Sequence, residues 1–274
     1  MPVFNMRFFL MFLIAAGAFS QNVEDRAWQT IEHALQDTNP LRRSDAVLAM
    51  AVVRAQPKAV NLVESGLADK DLGVRQSACT VLGGFKSKSS IPKLREALND
   101  GAPEVVFAAA KALYDMGDPA GREVLIAILN GDQSDTSGFV SSSVRDVKLK
   151  LHDPKGLVLI GVNSTAGILI GPFAAGLPVA EDLLKDKQAS GKTVAALLLA
   201  TDTSADSQTA LKLALSDKNW TVRAAAARAI ALRDMGTLYS DVTLLLDDKR
   251  EEVQYSAAAA LIRLKQPAPK KTRA

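Results

Sequence analysis

The chain has 274 residues, 48% of them apolar and 5% aromatic, with a formal net charge of +3. That apolar content excludes disorder of the whole chain and is enough for a substantial core, while scarce aromatics beside abundant Ala and Leu predict an all-α fold. Five of the cations lie near the ends, at Arg7, Lys265, Lys270, Lys271 and Arg273; without them the body carries about −2, which argues against nucleic acid as a partner.

Residues 1–20 read as a signal peptide. Arg7 supplies the positive region, Phe8 to Ala16 the apolar stretch, and Ala18-Phe19-Ser20 the small residues of a cleavage site before Gln21. The apolar run is shorter than the roughly 20 residues a membrane span needs. The expected compartment is therefore periplasmic or extracellular. A single Cys, Cys79, excludes an intrachain disulfide there.

From residue 27 onward the chain repeats. A Leu-x-Asp element recurs at Leu35/Asp37, Leu67/Asp69 and Leu98/Asp100, spaced by 32 and 31 residues, and again at Leu184/Asp186, Leu215/Asp217 and Leu246/Asp248, spaced by 31 and 31. About five residues after each Asp a helix is predicted. Val105, Ala109, Ala110, Ala112, Leu113 and Met116 match Val253, Ala257, Ala258, Ala260, Leu261 and Leu264 at identical offsets, which puts all six on one helical stripe. Each unit thus reads as a first helix, a short turn holding the Asp, and an Ala-rich second helix. Such a hairpin cannot bury both its faces alone, so the units are expected to stack into an α-solenoid. The expected domain covers 21–264, with regular copies over 27–117 and 174–264.

Asp100 and Asp186 are 86 positions apart, which fits neither two regular units nor three. Gly121 to Leu129 suits another first helix, while 131–173 is irregular. Gly156 to Ala180 holds twenty-five residues without a charge, five of them Gly, with Pro172 and Pro178. Its length would permit a membrane contact, yet insertion would disrupt the copy that ends at Leu184; the favoured expectation is buried core, and a membrane-attached adaptor held by this segment is the alternative. Residues 265–274, basic and containing Pro267 and Pro269, are expected to be a disordered tail.

The run Asp217-Lys218-Asn219-Trp220-Thr221-Val222-Arg223 followed by Ala226-Ala227 resembles the turn and second helix of HEAT repeats, particularly the short bacterial kind. Asp69 to Val74-Arg75 with Ala78-Cys79 is similar. The likeness covers roughly 27–130 and 175–264. It implies a solenoid of stacked hairpins and a structural ladder between turn Asp and second-helix Arg, with Asp37 and Arg43, Asp69 and Arg75, and Asp217 and Arg223 as members. Val106, Lys192 and Gln254 depart from the pattern, so the ladder is expected to break there. Chromophore lyases also use HEAT-like repeats, which makes a lyase acting on a chromophore-bearing protein a further alternative, by fold analogy alone.

No catalytic constellation emerges. His33 and His152 are isolated from each other and from ligand-spaced partners; Cys79 occupies a slot held by Ala110, Ala227 and Ala258; Gly191-Lys192-Thr193 lacks the earlier Gly of a phosphate loop. The chain is expected to be non-enzymatic, to need no cofactor or metal, and to bind a protein on the curved face lined by its second helices. Positions two and six after the Val slot are predicted to project from that face, which selects Gln76, Thr80, Phe107, Lys111, Arg228 and Tyr255. Phe107 and Tyr255 are the aromatic anchors by this reading, with packing against the adjacent repeat as the competing role.

Overall fold

The computed structural model describes residues 23–130 and 187–267. The signal-peptide and irregular-middle expectations for 1–20 and 131–173 lie outside the described residues, as does 268–274 of the tail expected over 265–274; the start of that expected tail is instead ordered, Lys265 ending the last helix and Gln266 bonding to Arg54. Most of the uncharged stretch's flanking repeat, up to Asp186, also lies outside the described residues.

Among the described residues every regular element is helical. The N-terminal half holds α1 (23–34), α2 (Pro40–Ala49), α3 (Pro57–Ser65), α4 (Leu72–Phe85), α5 (Ile91–Glu96), α6 (Pro103–Asp115) and α7 (Pro119–Asn130). The C-terminal half holds α8 (Lys187–Leu198), α9 (Ala205–Ala214), α10 (Trp220–Leu232), α11 (Tyr239–Thr243) and α12 (Glu251–Lys265). The hairpin reading holds: α4, α6, α10 and α12 are the Ala-rich second helices, each preceded by a shorter first helix. The expected first helix at Gly121 to Leu129 is α7.

The turn explains why the Asp recurs. Each turn Asp accepts a hydrogen bond from the backbone N–H two residues on: Asp37 from Asn39 (2.7 Å), Asp69 from Asp71 (2.8 Å), Asp100 from Ala102 (2.8 Å), Asp217 from Asn219 (2.8 Å) and Asp248 from Arg250 (2.9 Å). This local ring turns the chain through its corner, a bend that Asp makes better than most side chains. The second helix is then started by a cap or a Pro. Asn39, Asp71 and Asn219 accept from the first-turn N–H groups of α2, α4 and α10, while Pro103 opens α6, where its missing N–H is not needed.

Packing makes these short helices stable, since their propensity alone would not. Ile31, Leu82, Leu94, Leu113, Leu211, Ile230 and Leu261 are fully buried, each stabilising the fold by roughly 2 kcal/mol relative to exposure. The Ala slots set how closely helices approach. A Cβ added at Gly83 of α4 would lie 2.9 Å from Ala112 Cβ of α6, so at that crossing even one methyl group is too much.

The order of the stack departs from the order of the sequence. In each half the second helices pack in sequence, α2 on α4 on α6 and α8 on α10 on α12, but α12 then packs on α2. Read through space, the described row runs α8, α10, α12, α2, α4, α6. The last repeat therefore takes the place of a neighbour preceding the first, and the single solenoid expected in chain order is a row whose two halves are joined through the C-terminal helix.

This junction has its own chemistry. Arg42 of α2 pairs with Glu251 of α12 (2.6 Å), and Arg26 of α1 pairs with Asp247. At the far end of the helices Arg54 reaches Asp234 (2.5 Å), Arg263 donates to the Val52 carbonyl (2.7 Å), and the Gln266 amide both accepts from the Arg54 N–H (2.8 Å) and donates to the Arg54 carbonyl (3.1 Å). Residues more than 200 positions apart thereby satisfy one another's backbone, as sequential repeats do elsewhere.

One group at the junction works against it. Burial, with the Glu252 charge added, pushes the Asp45 carboxyl up to about 7. A raised carboxylate pKa means that its favourable contribution is complete below pH 4 and is lost as the pH rises through 7. Asp45→Asn is accordingly expected to stabilise the chain by about 2 kcal/mol at pH 8, a value discounted for partial exposure, and by almost nothing at pH 4. Urea unfolding of both proteins at the two pH values measures the difference.

Candidate functional site

The ladder occupies one edge of the row of second helices. Arg43 makes a two-pronged ion pair with Asp69 (2.7 and 2.7 Å), Arg75 with Asp100 (2.6 and 2.9 Å), and Arg223 with Asp248 (2.7 and 2.7 Å). Each Arg therefore pairs with the carboxylate of the following repeat, 25 or 26 residues ahead, and not with the Asp of its own. To its own repeat it gives one Nη1 donor, received by the backbone carbonyl of Asp37, Asp69 or Asp217 at 2.8 to 2.9 Å. The guanidinium is thus a staple between two turns. Its effect on charge is direct: the Arg43 hydrogen bonds hold the Asp69 carboxyl below its ordinary value, outweighing burial. At Asp248 burial opposes the charge, and Arg223 overcomes it.

Two of the three departures keep the staple in altered form. Lys192 takes the Arg place and reaches Asp217 at 2.7 Å, so the ladder is unbroken there. Gln254 donates to the Asp248 carbonyl at 2.6 Å, while the carboxylate that lies next in space, Asp37, is served by Arg42 at 3.1 Å. Val106 alone behaves as the sequence suggests and is wholly buried.

Exposure divides the predicted partner residues into two groups. In the N-terminal half Thr80 and Lys111 are exposed, and Gln76 and Phe107 are half-buried on the same face. Thr80 Oγ1 donates to the Gln76 carbonyl (3.0 Å), and Lys111 pairs with Asp115 one turn on (2.5 Å). Phe107 is partly buried and packs against the core. These four stand at equivalent positions of the packed helices α4 and α6, and Tyr114, 55% exposed, follows three residues after Lys111 on α6.

In the C-terminal half the expectation of projection fails. Arg228 is 1% exposed and Tyr255 5% exposed. Tyr255 lies at the junction, where its hydroxyl donates to Glu251 at 3.3 Å and burial drives its pKa upward, so it takes the packing role. Arg228 is enclosed, and burial pulls its guanidinium down to about 10. A helical wheel could not foresee either, because it reads each slot from its own helix and takes no account of burial supplied by other elements.

The chemical expectations can be placed as well. Cys79 is fully buried, and burial pushes its thiol up to about 12, which makes it a core residue like the Ala it replaces. His33 is exposed on α1; His152 lies outside the described residues. Lys192 and Thr193 sit within α8, where Thr193 shares a hydrogen bond with Thr221 at 2.9 Å. Among the described residues no three His, Cys, Asp or Glu side chains gather as a metal site would require, and no helix is long and apolar enough to cross a membrane.

Compared with known proteins, residues 65–137 match the family model for HEAT repeats. No curated protein matched the chain.

Proposed function

We propose, from the premise that this chain is a HEAT-repeat protein, that it is a non-catalytic scaffold which binds a protein through Gln76, Thr80, Phe107 and Lys111 of α4 and α6. HEAT repeats generally form helical scaffolds for protein interaction. The observation that carries the reading is the contrast along one face: Thr80 and Lys111 are open while the matching Arg228 is enclosed. These residues offer an aromatic ring in Phe107, a cation in Lys111 and amide or hydroxyl groups in Gln76 and Thr80, a mixture suited to a protein surface with some acidic character. The signal-peptide pattern of residues 1–20 supports an exported setting for the encounter.

The test uses exposed positions, so that folding is not at stake. Thr80→Glu with Lys111→Glu should leave the melting temperature within about 2 °C, as surface changes usually do. Affinity capture from the periplasmic or secreted fraction of the source cells, followed by titration of the captured protein, should show at least a tenfold weaker complex for the double variant. Equal affinity for both forms would place binding elsewhere.

A further inference from the structure

One carboxylate stands where the repeat pattern admits none. Eight positions after the turn Asp, the second helices carry, in the order of the row, Val194, Ala225, Ser256, Asp45, Ser77 and Ala108. The slot looks toward the preceding helix of the row, as the hydrogen bond between Ser77 of α4 and Ser44 of α2 shows (2.8 Å). Small or apolar side chains fill it except in α2, and the helix that precedes α2 in the row is α12. The exception therefore falls at the contact that joins the two halves.

Nothing among the described residues neutralises it. Asp45 is half-buried and has neither a hydrogen bond nor an ion pair there. The charges on the elements packed against α2 are committed to others. On α12, Glu251 is held by Arg42 and accepts from the Tyr255 hydroxyl, and Glu252 is paired with Arg250 (2.9 Å). Arg43 of α2 serves Asp69, Arg75 of α4 serves Asp100, and the single turn Met50–Val52 carries no charge. On α1, Arg26 is held by Asp247 and His33 bears on Asp37. The charge that does bear on Asp45 is that of Glu252, and it has the same sign.

We propose that the contact between α12 and α2 is a joint governed by pH: in acid it clasps the two halves into one row, and toward neutral pH the charged Asp45 and Glu252 let them part, each half keeping its own fold. The direction follows from where the proton is held. Burial first, and then Glu252, push the Asp45 carboxyl up to about 7. Parting the helices returns it to water and to an ordinary carboxylate value, so the clasped form binds the proton more tightly. Parting is therefore favoured progressively as the pH rises from about 4 to 7 and levels off above that. The two ends of the joint are polar, Arg42 with Glu251 at one and Arg54 with Asp234 and Gln266 at the other, groups that water can satisfy once they separate.

Arg54 supplies the reporter, since its backbone N–H donates to the Gln266 side chain across the joint (2.8 Å). Amide exchange of the full chain is expressed as protection relative to an unfolded peptide, which removes the intrinsic effect of pH on exchange. The Arg54 amide should be about tenfold less protected at pH 8 than at pH 5, the equivalent of one pKa unit after allowance for partial exposure, while the amides of α4 and α6 stay unchanged. In Asp45→Asn the two pH values should agree within about twofold. His33→Gln should keep the wild-type response, which separates Asp45 from the imidazole that titrates in the same range. Equal protection of Arg54 at both pH values in the wild type, a response that survives Asp45→Asn, or a parallel loss of protection in α4 and α6 would each overturn the proposal.

Discussion

Replacing Asp69 by Ala will lower the stability of the chain by about 3 kcal/mol at pH 7. The substitution leaves Arg43, 5% exposed, with two donors that have lost their carboxylate, and it removes the acceptor for the Asp71 N–H that forms the turn. A buried charge without its partner is the costly outcome; the pair itself contributes less than that figure. The pH dependence identifies the cause. The Asp69 carboxyl is held below its ordinary value, so its stabilising effect is present above pH 4 and is lost as the pH falls through the lowered value. Urea unfolding of wild type and variant should therefore differ most near pH 7 and converge toward pH 3. A constant difference at both pH values would show that the turn hydrogen bond, and not the ion pair, dominates.

Gly121→Ala should be of similar size, about 3 kcal/mol, for a reason unconnected with charge. A Cβ at position 121 would stand 2.4 Å from the Tyr114 nitrogen and 2.5 Å from the Ala110 carbonyl oxygen. These are backbone atoms of α6, which cannot swing aside as a side chain would, so α7 must move bodily. Hydrogen exchange should show the loss of protection concentrated in residues 119–130, with the α8 to α12 region unchanged. Gly84→Ala is the control, because nothing lies within 4 Å of its added Cβ; it should be neutral or slightly stabilising.

The sequence and the structure agree wherever the physics is local. The Leu-x-Asp period reported real turns because Asp bonds its own backbone two residues on, and the Ala stripe reported real helix contacts because crossing distance limits side-chain size. What was not legible was nearest-neighbour identity. Successive repeats present nearly equivalent faces, so no period can state whether the surface of α2 meets an earlier repeat, solvent or α12. The residues that decide it, Arg54, Asp234, Arg263 and Gln266, fall outside the repeated pattern and carry no motif. The ladder was readable as a set of residue types but not in its direction, since Asp69 is six positions before Arg75 yet pairs with Arg43. The candidate face was half legible: Thr80 and Lys111 project as a bare helix would have them do, whereas Arg228 and Tyr255 are buried, Tyr255 at the junction with groups as distant in sequence as Arg42.

The joining of α12 to α2 also sets an order of events during synthesis. Contacts within each half connect residues about thirty positions apart and can form as soon as those residues emerge, but Arg54 and Gln266 are 212 positions apart. Helix α2 therefore waits for the helix that packs on it until residues 251–265 have been made. Until then the repeat of α1 and α2 is the unfinished end of a stack, and the later-made repeat of α11 and α12 is the one that covers it.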